Sequence, residues 1–450
     1  MEKNRTGENI NKIDSAQAGV RVDGMPNWAE RGISSVRVDT VRKRPGMDRP
    51  FLVISLMLLL IGLIMVLSAS FVSANLLTGE PLLFFTRQLL FAVSGIAIML
   101  FVSRLSVRLM SRWSTHLLLV SITLLVLVLI IGITVNGARR WMGVGGENST
   151  FTFQPSEIAK LAVILSFAQM SCKFGRARMK TFKFGVAPFA AITVVIVLLL
   201  ARQPHYSAAI IILAQAATMM FAGGTRLRWF VLALVVAVSL VALMIFPNMI
   251  SAAREGGIEG AVDHAADSQA DLSRFGYAGN RITAWLDPDA DPLGAGFQIR
   301  QSLNAVGSGG LLGQGLGQSR QKHLYLPEEH NDFIFAIVAE ELGFIGAMLI
   351  LLLFALLVIR GFWLALHARD RFSALVVIGI TSLLAIQVFL NVAVVINMVP
   401  ATGISLPFFS YGGTALWIQL VQIGIVLSVS REIPLIKKIR SEVDEEELAA

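Results

Sequence analysis

Long apolar runs recur along this chain and limit its fold more than any other feature of the sequence. Of the 450 residues, 55% are hydrophobic and only 15% are charged. A soluble domain of this length cannot bury so much apolar surface, whereas an apolar run of roughly 18 residues or more spans a bilayer as a helix. The sequence therefore predicts an all-α integral membrane protein with about ten transmembrane helices. The predicted spans are 51–74, 84–103, 115–135, 157–171, 184–201, 207–222, 229–247, 333–359, 374–397 and 412–430.

Basic residues cluster in short segments between these spans. With an even number of spans, all of these segments fall on one side of the membrane. The positive-inside rule then makes that side cytoplasmic and places both chain termini there. The same rule accounts for the net charge of +8, so no nucleic-acid partner is predicted. The loops predicted to face outward are 136–156, 202–206, 248–332 and 398–411.

The two ends of the chain are polar and differ from the central membrane domain, which is predicted at 51–431. Residues 1–50 are predicted to form a disordered cytoplasmic tail, and 432–450 a second, acidic cytoplasmic tail. The large extracytoplasmic loop 248–332, between spans 7 and 8, belongs to the membrane domain. With Cys172 as the one cysteine, an internal disulfide is excluded.

Asp332 is the residue best suited to chemistry, because it ends a run of ionisable side chains at the mouth of predicted span 8. A helix dipole lowers the pKa of a carboxyl at such a position, and burial raises it. If burial dominates, Asp332 is a competent general base near neutral pH. The alternative is a simple N-terminal helix cap. Glu340 and Glu341 lie about two turns deeper, where one of them is expected to form a structural ion pair with Lys160 as the candidate partner.

A second polar group precedes and opens predicted span 4. The adjacent Arg139 and Arg140 offer forked donors suited to phosphate oxygens. Glu157 and Lys160 are three residues apart and therefore share a helix face. Lys160 lies a turn inside the membrane, where an ammonium group needs a partner or a water-filled cavity. The pattern fits either a site for an anionic group or a capped helix with a local ion pair.

Two further segments indicate unusual backbone. Residues 400–414 contain two prolines and three glycines, which predicts a re-entrant or broken-helix element that is buried or lines a cavity. The segment 313–317 is glycine-rich but lacks the context of a nucleotide loop, so it is predicted to be a point of close backbone approach. His205, His323 and His330 are too scattered in sequence to predict a metal site.

Together these segments resemble the SEDS family of the bacterial envelope, which includes FtsW, RodA and SpoVE. The resemblance covers about 51–431 and all ten predicted spans. Its markers are Arg140-Trp141, Gln154 to Glu157 with Lys160, Trp285 to Pro288, Gln298 to Ser302, Gly307 to Gly317, Pro327 to Phe333, Glu340 to Gly343 and Leu406 to Gly413.

The resemblance implies glycosyl transfer on the outer face of the bacterial cytoplasmic membrane. Family members polymerise lipid II, an undecaprenyl-pyrophosphate-linked disaccharide, into peptidoglycan strands. The aspartate that matches Asp332 is essential in the family, which implies a general base at this position. Arg139, Arg140 and Lys160 are the implied phosphate contacts. The other substrate-binding candidates are Trp141, Glu157, His330 and Ser410.

A cofactor and partners are also implied. A divalent cation, Mg²⁺ or Mn²⁺, would assist at the pyrophosphate, although the sequence shows no multi-carboxylate site for one. The implied protein partner is a class B penicillin-binding protein with transpeptidase activity, alongside other division or elongation proteins and the membrane lipids. The long N-terminal tail and the Glu328 to Asp332 run favour the division (FtsW) or sporulation (SpoVE) branch over the rod-elongation branch.

Two residues depart from the family pattern. Asn331 stands where a threonine is usual, and His205 stands where the family has an aspartate after Gln-Pro, so no role of that aspartate is carried over. Two other functions remain open. The many spans and the intramembrane Lys160 also fit a transporter that moves the lipid-linked precursor across the membrane. A scaffold that recruits the transpeptidase is the third hypothesis.

Overall fold

The computed structural model describes residues 46–135, 138–143, 152–233, 235, 277–289 and 294–433. The apolar segments in this part of the chain form long helices, joined by short polar or Gly- and Pro-containing connections. The helices are α1 (Arg49–Thr78), α2 (Leu83–Val102), α3 (Val107–Ile131), α4 (Pro155–Met179), α5 (Phe182–Gly185), α6 (Ala187–Arg202), α7 (Tyr206–Ala222), α8 (Tyr277–Leu286), α9 (Ala295–Ser308), α10 (Ile334–Leu366), α11 (Arg371–Val395) and α12 (Gly413–Ser430).

These helices confirm a multi-pass membrane fold. Eight helical segments of the described chain are long and apolar enough to cross a membrane, with α5 and α6 counted together, and α7 is a shorter apolar helix. Nine of the predicted spans coincide with these elements. The predicted span 229–247 is helical as far as 233, and most of it lies outside the described residues.

Most of the two predicted tails also lies outside the described residues. The N-terminal boundary at residue 50 is too late, however, because Asp48 already caps α1 and the helix begins at Arg49. Helix α12 ends at Ser430, and the division between membrane domain and tail at 431 stays a prediction.

A small antiparallel sheet departs from the all-α prediction. Its strands β1 (Ile133–Val135), β2 (Ala138–Gly143) and β3 (Thr152–Phe153) pair in sequence order. Helix α3 therefore ends at Ile131, before the predicted end of span 3 at 135. The physical reason is local, since Gly132 takes an extended conformation and three β-branched residues follow it, which favours a strand.

Helices α4, α11 and α12 are the most enclosed of the membrane-length helices in the described chain. Helix α12 packs against α2, α10 packs against both α11 and α1, and α3 packs against α4. Large apolar side chains such as Leu60, Leu90 and Ile359 point outward from the surrounding helices, as expected for a surface that faces lipid.

Helix α10 is broken at Gly343, which has φ 68° and ψ −173°. The glycine-rich segment 310–315 fills the break, because the amides of Gln314 and Gly315 donate to the carbonyls of Glu340 and Glu341 at 3.0 Å. A Cβ at Gly343 would lie 2.2 Å from the backbone nitrogen of Gly313. The predicted close approach of the glycine-rich segment is thus confirmed at Gly313, and non-helical backbone at this depth is tolerated because protein surrounds it.

Two helices, α8 and α9, lie within the segment 248–332, which is predicted from the sequence to be one large loop. Helix α9 packs against α10, and the Ser302 hydroxyl on α9 donates to the Val395 carbonyl at the end of α11, at 2.8 Å. The described part of this loop is therefore a folded layer over one end of the helix bundle.

At the opposite end of the bundle, Asp48 joins three elements. Its carboxylate accepts from the Phe51 amide at 2.9 Å and from Arg360 at 2.6 Å, and its own amide donates to Ser430.

Asp48→Ala is expected to lower the free energy of unfolding by about 1–2 kcal/mol, since the helix cap and the ion pair are both lost. Asp48→Asn retains a cap acceptor and should lose less. Unfolding titrations in detergent measure both values, and equal losses would show that the cap contributes little.

Candidate active site

Asp332 lies in the turn that leads into α10. The helix cap position is Phe333 and no side chain caps the helix, so the alternative of Asp332 as a helix cap is wrong. The Asp332 carbonyl accepts from the Asn391 amide nitrogen at 2.8 Å, and the same nitrogen donates to the Ile404 carbonyl at 2.7 Å. Asn391 on α11 thereby holds the turn before α10 and the segment after α11 beside each other.

Backbone without a side chain, at Gly403, lies close to the Asp332 carboxylate. A Cβ at Gly403 would lie 3.0 Å from Oδ2 of Asp332, and Gly403 has a φ of 73°. The Ser207 hydroxyl at the start of α7 donates to the neighbouring Thr402 carbonyl, which fixes this segment from the other side. A side chain at residue 403 would therefore be strained and would press on the carboxylate.

The electrostatic surroundings of Asp332 suit a base. The surroundings raise its pKa from 3.8 to about 6, with burial as the largest cause of the increase and the charge of Glu328 as the second. The charges of Arg281, Arg140 and His330 oppose it. Among the described residues, no side chain or amide donates a hydrogen bond to this carboxylate. It is therefore largely ionised at neutral pH and able to accept a proton.

The structure separates the two adjacent arginines of β2. Arg139 pairs with Thr134 and Trp141 with Ile133, so Arg140 is the extra residue of a β-bulge. Arg140 is half-buried, its charge acts on both Asp332 and His205, and its Nε is buried with no hydrogen-bond partner in the described chain. Arg139 is exposed and donates to Thr134 at 3.4 Å. Of the two predicted phosphate contacts, only Arg140 is brought toward Asp332. Trp141, paired with Ile133, is half-buried.

Glu157 and Lys160 form the predicted local ion pair on α4, with Nζ 2.7 Å from Oε1, and both side chains are buried. Next to them, His205 lies with Nε2 3.4 Å from the Gln154 amide nitrogen. Burial lowers the pKa of His205, the charges of Arg140 and Lys160 add to that decrease, and the resulting pKa is about 3. The histidine that replaces the usual family aspartate is therefore neutral. A neutral His205 does not supply Arg140 and Lys160 with the negative charge that an aspartate at this position would add.

His330 and Ser410 connect Asp332 to the segment before α12. The His330 ring stacks on Phe84 with 5.0 Å between centroids and meets the Tyr411 ring edge-on at 5.9 Å. The Ser410 hydroxyl donates to the Asn331 carbonyl and accepts from the Leu406 amide, both at 2.7 Å. Ser410 therefore holds the two loops together, and substrate contacts from either residue stay predictions.

Glu340 and Glu341 are structural, as predicted for one of them, but the expected partner is wrong. Glu341 pairs with Lys322 at 3.0 Å rather than with Lys160. Glu340 accepts from the Ser319 hydroxyl at 2.5 Å and from the Arg320 amide at 3.0 Å. Lys160 is already neutralised within its own helix, whereas the loop before α10 folds back so that residue 322 reaches the carboxylate.

Sequence reasoning misses three charged residues of this region: Arg281, Glu328 and Lys322. Arg281 lies on α8, four residues before the family marker Trp285. Glu328 belongs to the same run as Asp332 and changes its pKa. Carboxylates as deep in the membrane as Glu340 and Glu341 require a cation, and the loop before α10 contains Lys322. This lysine is therefore the signal in the sequence for the ion pair.

The donor set does not fit a resident divalent cation. Within the described residues, no three His, Cys, Asp or Glu side chains come together as metal ligands. The charges that act on Asp332 include two guanidinium groups, which disfavour a further positive charge beside the carboxylate.

Fold and site together define a multi-pass membrane protein with a half-buried carboxylate and cationic side chains at one end of its helix bundle. The chain belongs to the FtsW, RodA and SpoVE family, whose model, described as a cell cycle protein, matches residues 49–434. The family resemblance seen in the sequence motifs is thereby confirmed.

Relatives and solved structures agree. Stage V sporulation protein E of Bacillus subtilis is 42% identical over 391 residues, covering 86% of this chain and 98% of that protein. The probable peptidoglycan glycosyltransferase FtsW of Trichlorobacter lovleyi is 38% identical over 376 residues, covering 83% and 90%. A chain of a peptidoglycan synthase complex that coordinates polymerization and crosslinking is similar with a TM-score of 0.66, 27% identity and coverage of 86% and 98%. Rod shape determining protein RodA of Thermus thermophilus has a TM-score of 0.60, 26% identity and coverage of 86% and 97%.

Proposed function

We propose that this protein is a peptidoglycan glycosyltransferase that polymerises lipid II, with Asp332 as the general base. The observation that carries the proposal is the Asp332 carboxylate. It is half-buried, has no hydrogen-bond donor among the described residues, and lies within the field of Arg140 and Arg281. The names and structures of the relatives support the same reaction class.

The geometry fits the proton and charge movements of the reaction. The acceptor sugar hydroxyl attacks the anomeric carbon of the donor and transfers its proton to the Asp332 carboxylate. The bond from the anomeric carbon to the pyrophosphate oxygen breaks, and its electron pair leaves with the lipid pyrophosphate. This leaving group needs no acid, but its charge is stabilised by cations that are already in place. Arg140 is the structural candidate for that contact, because its Nε is unpaired in the described chain and its charge reaches the base.

Charge placement supports the membrane orientation predicted from the sequence. The end of the bundle opposite Asp332 brings together Asp48 with Arg360, and Arg371 with the Gly223 carbonyl. These arginines flank helix ends, as the positive-inside rule requires for a cytoplasmic face. Asp332 then faces the outer side of the membrane, where lipid-linked precursors are polymerised. The proposed protein partner is a class B penicillin-binding protein, supported by the similarity to a chain of a synthase complex.

A reconstituted assay separates this function from the two alternatives. Purified protein in liposomes receives lipid II, alone and with a co-purified class B penicillin-binding protein, and the products are resolved by gel. Glycan ladders support the polymerase. Movement of labelled lipid II between leaflets without ladders would favour the transporter. Neither activity in a folded, partner-bound sample would favour the scaffold.

The rate of glycan synthesis is expected to fall as the pH drops through about 6, because burial raises the pKa of Asp332 to that value. Only the carboxylate form accepts a proton, so activity is present above this pKa. It should fall about tenfold for each pH unit below it. Initial rates between about pH 5 and about pH 8 in liposomes measure the acidic limb of the pH–rate profile, the pH range over which the rate falls as the pH drops. A limb near the ordinary value of 3.8 would contradict a base shifted by burial.

A further inference from the structure

Helix α8 reaches from the outer loop onto the segment that follows α11. Nη1 of Arg281 donates to the Ala401 carbonyl at 2.7 Å, and Nε1 of Trp285 donates to the Asn397 carbonyl at 3.1 Å. The two side chains are four residues apart and therefore lie on one face of the helix. Asn397 has a φ of 57°, so the chain turns sharply where Trp285 holds it. One helix face thus fixes both ends of the segment 397–401.

This segment continues directly into the wall of the Asp332 carboxylate. Gly403 is two residues beyond Ala401, and its backbone lies against Oδ2 of Asp332. The next residue, Ile404, shares the Asn391 amide with the Asp332 carbonyl. A displacement of Ala401 would therefore change the distance between this wall and the carboxylate.

We propose that Arg281 is a positioning residue for Asp332, which holds the segment 401–404 against the carboxylate and fixes a positive charge beside it. The inference rests on the proposed function and deepens it, because it assigns part of the control of the base to the folded outer loop. Helix α8 then acts as the carrier of a guanidinium group whose position depends on the docking of that loop.

The charged groups around Asp332 come from several elements. Arg140 comes from β2 and Arg281 from α8, while Glu328 and His330 belong to the turn that carries Asp332. The other elements packed here contribute groups that do not titrate: Asn391 from α11, Gly403 from the segment after it and Ser207 from α7. Among the charges that lower the pKa of Asp332, Arg281 has the largest effect. Its removal should therefore raise that pKa and reduce the fraction of base at neutral pH.

The variants Arg281→Gln, Arg281→Lys and Trp285→Phe test the inference through the pH profile of lipid II polymerisation. Arg281→Gln should move the acidic limb upward by at least about half a pH unit, because the positive charge is lost. Arg281→Lys keeps the charge, so its limb should stay with that of the wild type. Trp285→Phe is the matched control, since it removes the second contact of the same helix face without changing any charge. Trp285→Phe should leave the acidic limb in place, and any loss of rate should be equal at every pH.

A cysteine variant keeps the test valid if Arg281→Gln does not fold. Arg281→Cys in a Cys172→Ser background is labelled, after purification, with a cationic or an uncharged thiol reagent of similar size. The cationic label should move the limb back toward the wild-type position, and the uncharged label should leave it displaced.

The outcomes separate the inference from the proposed function. A wild-type protein that makes no glycan would remove the proposed function. A wild-type protein that makes glycan, with coincident limbs for Arg281→Gln and Trp285→Phe or for the two labels, would overturn the inference alone. Displaced limbs only in the samples without charge at residue 281 would support it.

Discussion

Asp332→Asn is expected to lower the rate of glycan synthesis by about 10³-fold, within the range that general acid–base catalysis supplies. Asparagine has almost the same shape as aspartate but does not accept the proton of the attacking hydroxyl. The carboxylate has no hydrogen bond to lose among the described residues, and the contact from Asn391 goes to the backbone carbonyl, which the variant keeps. Folding and partner binding should therefore change little while catalysis is lost.

Asp289→Asn is the matched control for this experiment. Asp289 also lies in the segment 248–332, but its side chain is 82% exposed and pairs with Arg300 at 2.9 Å. The control should keep the wild-type rate within about twofold, since exposed ion pairs contribute little. Both variants are compared with the wild type in liposomes at equal amounts of folded protein. Glycan ladders from Asp332→Asn at more than about a tenth of the wild-type rate would exclude Asp332 as the base.

Much of the fold follows from the sequence because a membrane span has a strong one-dimensional signal. An apolar run of sufficient length must become a helix in lipid, so α2 and α12 are predicted to about one residue at each end. The position of Asp332 at the mouth of a helix follows in the same way. Helices α8 and α9 have no such signal, since they are short and lie in a polar segment where helix and loop have similar composition.

The parts of the site that sequence does not predict depend on contacts between distant segments. The different positions of Arg139 and Arg140 depend on a bulged strand, whereas the sequence predicts these residues to lie in the loop 136–156. Arg281 acts on Asp332 only because α8 docks on the segment after α11. The replacement of the usual aspartate by His205 is visible in the sequence, but its neutrality depends on burial beside two cations.

The pairing of Glu341 with Lys322 leads to the second large effect. Lys322, Glu341 and Ser68 are buried together, with Nζ of Lys322 3.0 Å from Oε1 of Glu341 and the Ser68 hydroxyl 2.7 Å from both carboxylate oxygens. This cluster joins α1, the loop before α10 and the first half of α10. Removing one member of a buried ion pair costs more than removing both, because the remaining charge stays without its partner.

Lys322→Met is expected to lower the free energy of unfolding by about 3–5 kcal/mol, because methionine fills most of the space but leaves the Glu341 charge uncompensated. The double variant Lys322→Met with Glu341→Gln should recover a large part of that loss, since neither buried charge remains. Lys173→Met is the control, an exposed lysine on α4 whose replacement should change stability by less than about 0.5 kcal/mol. Unfolding titrations in mixed detergent measure the stability of all four proteins.

A double variant no more stable than Lys322→Met would show that lost packing, rather than the unpaired carboxylate, causes the destabilisation. In that case the substitution of Lys322 would leave a void between α1 and α10, and a larger apolar side chain at this position, rather than neutralisation of Glu341, should restore stability.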